Sequence, residues 1–405
     1  MKNVPFSPPD ITEEEITAVA DTLRSGWITT GPKTKLFEQE AAKCFGTSKA
    51  VALGSCTAAL ELTLRILGIG EGDEVIVSAY TYTASAAVIA HVGAKIVMVD
   101  TAPESFLIDP KKIEDAITER TKAVIPVDIA GKMCDYESIF KAVENKKHLF
   151  KPNNDIQRLY NRVIVVSDSA HGFGSSRHGI MSGSVADFTA FSLHAVKTIT
   201  AGEGGIATWR DMDGLDNEWL YNQYMLYSLH GQTKDALHKN LAGSWEYDIV
   251  IPGYKCNMTD IQASIALVQL KRFKEIQGRR CDIIKKYDKA MDEMGVGYLH
   301  HVNKEFVTSC HIYLTRVPGI GHRERNEIIR RMAELGVACN VHFKPLPMMT
   351  AYKNMGFSIE DYPNAYAHYK NEITLPLHTR LSDEDVQYVI DCYRRVLTDM
   401  KLIKE

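Results

Sequence analysis

The stretch FSLHAVKTITAGEGG, residues 191–205, sets one lysine, Lys197, among apolar and small residues at the end of a β run. Burial disfavours an ammonium, so a lysine in such company has reason to shed its proton, and a neutral amine forms Schiff bases with carbonyls. A lysine laying its stem on apolar surface with its charge in water explains the same residues locally. Asp168 stands 29 residues earlier, at the end of the apolar run VIVV, and Ser169-Ala170-His171-Gly172 follows it. An acid there must be solvated, capped or paired, and a protonated ring nitrogen would pair it well; a turn cap is an equal local reading.

Two more strand ends offer complementary groups. Gly54-Ser55-Cys56-Thr57-Ala58 leads straight into a helical pattern, and free amides with hydroxyls at a helix start suit a phosphate. The same residues make an ordinary Ser/Thr N-cap, and neither G-x-x-x-x-G-K-[ST] nor G-x-G-x-x-G accompanies them. Tyr80-Thr81-Tyr82 ends the next β run, supplying either core packing or an aromatic face for a flat ring. A phosphate site, an aromatic face, an acid for a ring nitrogen and an amine for an aldehyde together describe pyridoxal 5′-phosphate.

Such residues must be carried by strands ending on one edge. Seven short apolar runs occur between residues 50 and 209: AVALGS, EVIVSA, KIVMVD, AVIPVDIAG, RVIVVSD, DFTAFSL and GGIATW. Continuous rather than alternating apolar character points to strands buried on both faces. Helical patterns (TAALELTLRILG, TASAAVIAHVG, PKKIEDAITER) separate the first four, which predicts an α/β fold with a mostly parallel sheet, ligands collecting at its carboxyl edge. The polar stretch 144–161 reads as a surface insertion. A long helix from Thr259 bridges to a smaller α+β unit containing HIYLTRV, a helix near 322–335, VACNVHF, EITLPL and a terminal helix from Asp383. The expected domains are 1–258, with the N-terminal helix capped by Thr12 and Glu15, and 259–405.

The chain has 405 residues, 45% hydrophobic and 24% charged, with 47 basic against 51 acidic side chains for a net charge of −4. That balance gives no reason to expect a nucleic-acid partner, and no apolar run approaches membrane-spanning length. The eight cysteines are scattered without a C-x-x-C pair, so reduced thiols in a cytoplasmic protein, and no metal, are expected.

The chain resembles the fold-type I pyridoxal-phosphate enzymes, and more narrowly the DegT/StrS family of nucleotide-sugar aminotransferases, from about residue 5 to 398. The resemblance rests on GWITTGPKTKLFEQEAA (26–42), SCTAALELTL (55–64), YTYTAS (80–85), VVSDSAHGFGS (165–175), FSLHAVKTITAGEGG (191–205), GYKCNMTDIQAS (253–264) and VHFKPLPMMTAY (341–352). It implies that Lys197 forms the Schiff base and shuttles the proton, Asp168 pairs with the pyridine nitrogen, Tyr82 stacks on the ring and His171 sits near its hydroxyl. Cys56, Thr57, the Ala58 amide and Ser192 would surround the phosphate. The family's sites lie at a homodimer interface, so the GYKCNMTD segment would reach a partner's cofactor. There the sequence departs from the common form GYNYRLTD: Lys255 replaces Asn and Asn257 replaces Arg, with Lys255 still a cation for the phosphate. Thr30, His342 and Lys344 fall in segments that approach the sugar nucleotide in relatives.

The implied reaction takes an amino group from L-glutamate, through pyridoxamine 5′-phosphate, to a keto group of a nucleotide-linked deoxysugar. The expected acceptor is a UDP-linked 4-keto-6-deoxy-N-acetylhexosamine used for surface polysaccharide, including lipopolysaccharide. Two rivals stand beside it. A sugar dehydratase of the same family would carry His where Lys197 stands; the other is a non-catalytic protein that binds the cofactor or a sugar nucleotide and regulates a partner, against which the full set of Asp168, His171 and Lys197 speaks.

Overall fold

The computed structural model describes residues 2–234 and 245–403. Its strands are β1 (Ala50–Leu53), β2 (Glu74–Ser78), β3 (Lys95–Val99), β4 (Thr121–Ile125), β5 (Ile164–Asp168), the short pair β6 (Ser176–Arg177) and β7 (Ile180–Met181), β8 (Phe188–Ser192) and β9 (Gly205–Trp209). All seven apolar runs form one sheet in the order β1-β9-β8-β5-β4-β2-β3. Only β9 runs antiparallel to its neighbours. Every residue of β1, β2, β4, β5, β8 and β9 is buried, which is why these runs are apolar throughout. The edge strand β3 exposes Lys95, which pairs with Glu74 at 3.1 Å and discourages further strand addition.

The remaining strands are β10 (Gly297–Tyr298), β11 (Phe306–Val307), β12 (Tyr313–Arg316) and β13 (Glu372–Leu375). β10, β12 and β13 make an antiparallel sheet, while β11 crosses back to pair with β6. The connecting helix runs Asp260–Met294, started by a capping box between Thr259 and Gln262. Its later turns, with Ile283, Tyr287 and Met291, enter a second hydrophobic core completed by Ile328, Val389 and Tyr393. Val4 belongs to this core and bridges to Val337, so the first residues of the chain pack with its last third.

Two expectations need correcting. The stretch 144–161 is no loose insertion: it holds a helix, Asp155–Tyr160, with Ile156, Gln157 and Tyr160 buried. Its polarity serves the interior, since Asn154 Nδ2 and Gln157 Nε2 donate to the Leu67 carbonyl at 3.0 and 2.8 Å and Asn153 Nδ2 reaches Asp73 at 2.9 Å. VACNVHF forms no strand. It makes isolated bridges only, Val337 to Val4 and Asn340 to Thr374.

Candidate active site

Because β1, β2, β5 and β8 run in one direction, their carboxyl ends deliver loops to one edge of the sheet. There a cleft of about 480 Å³ is lined by Ser55, Cys56, Thr57, Tyr82, Asp168, His171, Ser192 and Lys197 from these loops. Phe6, His311, His342 and Phe343 close it from the other side.

The loop after β8 folds back on itself: Leu193 N donates to Gly204 O and Ala201 N to Leu193 O, each at 2.9 Å. Lys197 is held at its tip, its own amide donating to His194 O at 2.9 Å. The side chain is half-buried along the cleft, and burial around the amine pushes its pKa down to about 8 despite the opposing pull of Cys56 and Asp168. Close packing is enforced at Gly205, where a Cβ would lie 2.2 Å from the Ser55 carbonyl carbon. β9 therefore brings the lysine loop directly against the helix start at Ser55.

Asp168 is buried, and burial raises its pKa against donors that favour the carboxylate. Ser85 Oγ donates to Oδ2 at 2.6 Å and the Ala170 amide to Oδ1 at 3.1 Å. The turn that follows is fixed from below by Asp128, which accepts from Ser169 Oγ, from Tyr136 Oη at 3.0 Å and from the Cys134 amide at 2.8 Å. His171 Nδ1 accepts from the Ala130 amide at 3.2 Å, so the neutral ring carries its proton on Nε2. Ala130 reaches it from a left-handed backbone, φ 58°. Burial, then the charge of Lys197, holds the imidazole well below the usual histidine range.

The helix Cys56–Ile66 is capped by Ser55, whose Oγ takes the Ala58 amide at 3.0 Å. The Ala58 N–H is thus engaged within its own cap, while the amides of Cys56 and Thr57 have no carbonyl of their own helix to donate to. Ser192 Oγ accepts from His194 N at 3.3 Å, leaving its proton free to donate. Tyr82 is 62% exposed, at the rim, with its ring 6.0 Å from that of Phe343.

His342 shares the cleft. Its Nδ1 meets Thr374 Oγ1 at 2.9 Å, Thr374 meets Glu372 Oε1 at 2.6 Å, and the His342 amide donates to Glu372 Oε2 at 2.9 Å. Burial pushes the imidazole down to about 3 and Glu372 up to about 8. Thr30, Lys255 and Lys344 do not line this chain's cleft. Thr30 is buried, donating to Met258 O at 2.5 Å and accepting from Asn257, to which Lys255 donates in turn. Lys344 is exposed.

Sequence reasoning missed Ser85, His311 and Phe343. Ser85 lies in YTYTAS but reads as a plain helix residue. His311 opens HIYLTRV, which reads as a strand; its ring lies 4.5 Å from that of His171, and its buried Nδ1 has no partner among the described residues.

Compared with known proteins, the sequence matches the DegT/DnrJ/EryC1/StrS aminotransferase family over residues 9–394. The chain belongs to this family. It is 38% identical over 401 residues to the spore coat polysaccharide biosynthesis protein SpsC of Bacillus subtilis, covering 97% of each. Its structure superposes on the PMP-form of the putative sugar aminotransferase Spr1654 from Streptococcus pneumoniae with a TM-score of 0.96 and 55% identity, covering 99% of this chain and 100% of the other. PseC of Helicobacter pylori, an aminotransferase of pseudoaminic acid biosynthesis, superposes with a TM-score of 0.84 at 27% identity, covering 98% and 100%. The fold is therefore fold-type I, and the family is pyridoxal-phosphate-dependent.

The residues fit that cofactor on their own chemistry. A buried carboxylate, an amine of lowered pKa, an Nε2–H donor and first-turn amides without a carbonyl of their own helix surround one cleft, and His311 Nδ1, without a partner among the described residues, leaves that wall open to a further polar group.

Proposed function

We propose that the protein moves an amino group from L-glutamate to the keto group of a nucleotide-linked deoxysugar, a UDP-linked 4-keto-6-deoxy-N-acetylhexosamine destined for surface polysaccharide. The observation that carries the amino-transfer reading is the amine of Lys197 facing the buried Asp168 in one cleft, with a pKa lowered to about 8, so that its neutral form is far more available near neutral pH than that of an ordinary lysine. The sugar reading leans on the relatives, which include a polysaccharide biosynthesis protein and a sugar aminotransferase.

Pyridoxal phosphate, when bound, supplies an aldehyde that captures amines and an electron-poor ring that stabilises charge on the neighbouring carbon. Asp168 would keep the ring nitrogen protonated, His171 Nε2–H would donate to the ring oxygen, and Tyr82 would cover one face. Thr57, Ser192 and the Cys56 and Thr57 amides would hold the phosphate, with Ala58 contributing as its cap allows. Lys197 Nζ takes the proton from Cα of glutamate and returns one to the sugar carbon that receives nitrogen. His342 faces the space left for substrate, and Thr30 and Lys344 would contact the nucleotide. In the homodimer this reading requires, Lys255, exposed and outside its own cleft, would reach the partner's phosphate.

The test is spectroscopic. The yellow holoenzyme should bleach with L-glutamate and regain colour with the keto-sugar nucleotide, with product stereochemistry read by NMR from a panel of UDP, dTDP and GDP substrates. A dehydratase or a non-catalytic binder would not complete that cycle. Light scattering that returned a monomer would count against the shared site.

A further inference from the structure

We propose that Cys281 and Cys310 form a reversible disulfide, a redox-modifiable site that acts on the wall of the cleft. The two sulfurs are in contact, 2.8 Å apart, although 29 residues separate them in the chain. Cys281 is half-buried on the helix Asp260–Met294, whereas Cys310 is fully buried in the segment leading into β12. Cys310 holds a left-handed backbone, φ 58°, and its amide donates to Thr308 Oγ1 at 3.0 Å. Arg280, the neighbour of Cys281, ties the same elements by donating to His311 O at 2.9 Å and Leu377 O at 3.0 Å.

The segment matters because both neighbours of Cys310 touch the site. Ser309 Oγ donates to the carbonyl of His171, and His311 packs its ring against that of His171. A covalent bond at Cys310 would anchor these contacts to the helix joining the two halves of the chain.

The chemistry divides between the sulfurs. The Cys281 thiol is lowered first by its hydrogen bond with Cys310, and Lys285 one turn on adds to the effect against burial. Cys310 is raised, by the same bond and by burial. Cys281 is thus the reachable nucleophile and Cys310 the resolving thiol. As oxidant we name a small disulfide such as oxidised glutathione. The Cys281 thiolate attacks one of its sulfurs, breaking that S–S bond and releasing one thiolate, which takes up a proton. Cys310 then attacks Cys281 Sγ and expels the second thiolate, to which its own proton passes. Two protein thiols are oxidised by two electrons, and the reagent is reduced to two thiols.

The inference stands apart from the amino-transfer reading, since its first readout is a cross-linked peptide. The holoenzyme is treated with oxidised glutathione, digested without reductant and analysed by mass spectrometry. Expected are a mass loss of about 2 Da, a peptide joining positions 281 and 310, and full reversal by dithiothreitol. Turnover should fall several-fold in the bridged form and return on reduction. Cys281→Ser should neither bridge nor respond to oxidant while keeping its reduced-state turnover, and Cys310→Ala should behave alike; if the buried replacement fails to fold, Cys281→Ser carries the test. Stable glutathione on Cys281 without ring closure, or an unmodified pair, would overturn the site. Unchanged turnover in fully bridged enzyme would overturn its link to the cleft.

Discussion

One wall of the cleft, with Thr57, Tyr82, Asp168, His171, Ser192 and Lys197, comes from loops leaving the strands of a single sheet; the opposite wall, with His311, His342 and Phe343, comes from the smaller half of the chain. The first wall carries the charge-bearing pair, Asp168 and Lys197. The second carries imidazoles kept neutral, by burial first and by the nearby lysine charge as a further cause. The difference teaches a division of labour: in the proposed reaction the sheet edge would set the electrostatics of proton transfer, and the far wall would offer hydrogen bonds without competing charge.

The largest expected effect tests the first wall. Lys197→Ala should lower steady-state turnover by about 10³-fold or more, since it removes the proposed proton carrier. Retained turnover without added amines would break the assignment. Asp168→Asn should cost on the order of 10²-fold in kcat. Burial raises the Asp168 pKa above its ordinary value, so this carboxyl stabilises the fold only at low pH and loses that contribution as pH rises through its folded value. The Asn variant should therefore melt no lower than the parent protein at pH 7 in the cofactor-free state. A large drop in Tm would make Asp168 a structural residue instead.

A smaller effect is a pH profile. Capture of pyridoxal phosphate by the cofactor-free protein should accelerate with pH through a midpoint near 8, where Lys197 loses its proton, as read by stopped-flow absorbance. A midpoint near the ordinary lysine value would remove the electrostatic contrast between the walls.

The second wall should respond differently. Glu372→Gln should raise KM for the sugar substrate a few-fold with little change in kcat, because Glu372 acts on His342 through Thr374 and the His342 amide. Burial raises the folded pKa of Glu372 to about 8, above the ordinary glutamate value of about 4.5. Its contribution to stability is full below about pH 4.5 and drains away as pH rises through 8, so the Gln variant should show a flatter Tm profile between roughly pH 5 and 9. The smallest effect is Ser55→Ala, about 1 kcal/mol from the lost cap by urea denaturation.

The same contrast explains what could be read from the sequence. Lys197, Asp168 and the Ser55–Thr57 start follow apolar runs directly, so local order alone brings each to a strand end. The pairing of His311 with His171, and of His342 with Glu372 and Thr374, depends on how distant segments cross. Neither spacing nor composition encodes that crossing. Asn153, Asn154 and Gln157 misled for a related reason: their polarity satisfies buried backbone and carboxylate groups rather than solvent. VACNVHF has strand-like residues but lacks a neighbour along its length, and a strand exists only with its partner.

One carboxylate has a consequence in time as well as in space. The helix Pro32–Phe45 begins at Gly31, which has no side chain to cap it. Asp260 does so from across the molecule, taking the amides of Gly31, Lys33 and Thr34 at 2.8, 3.1 and 2.9 Å and the Thr34 hydroxyl at 2.7 Å. The cap lies 229 residues downstream of Gly31. As the chain leaves the ribosome, this helix start therefore stays without its carboxylate cap until every strand of the large sheet has been synthesised.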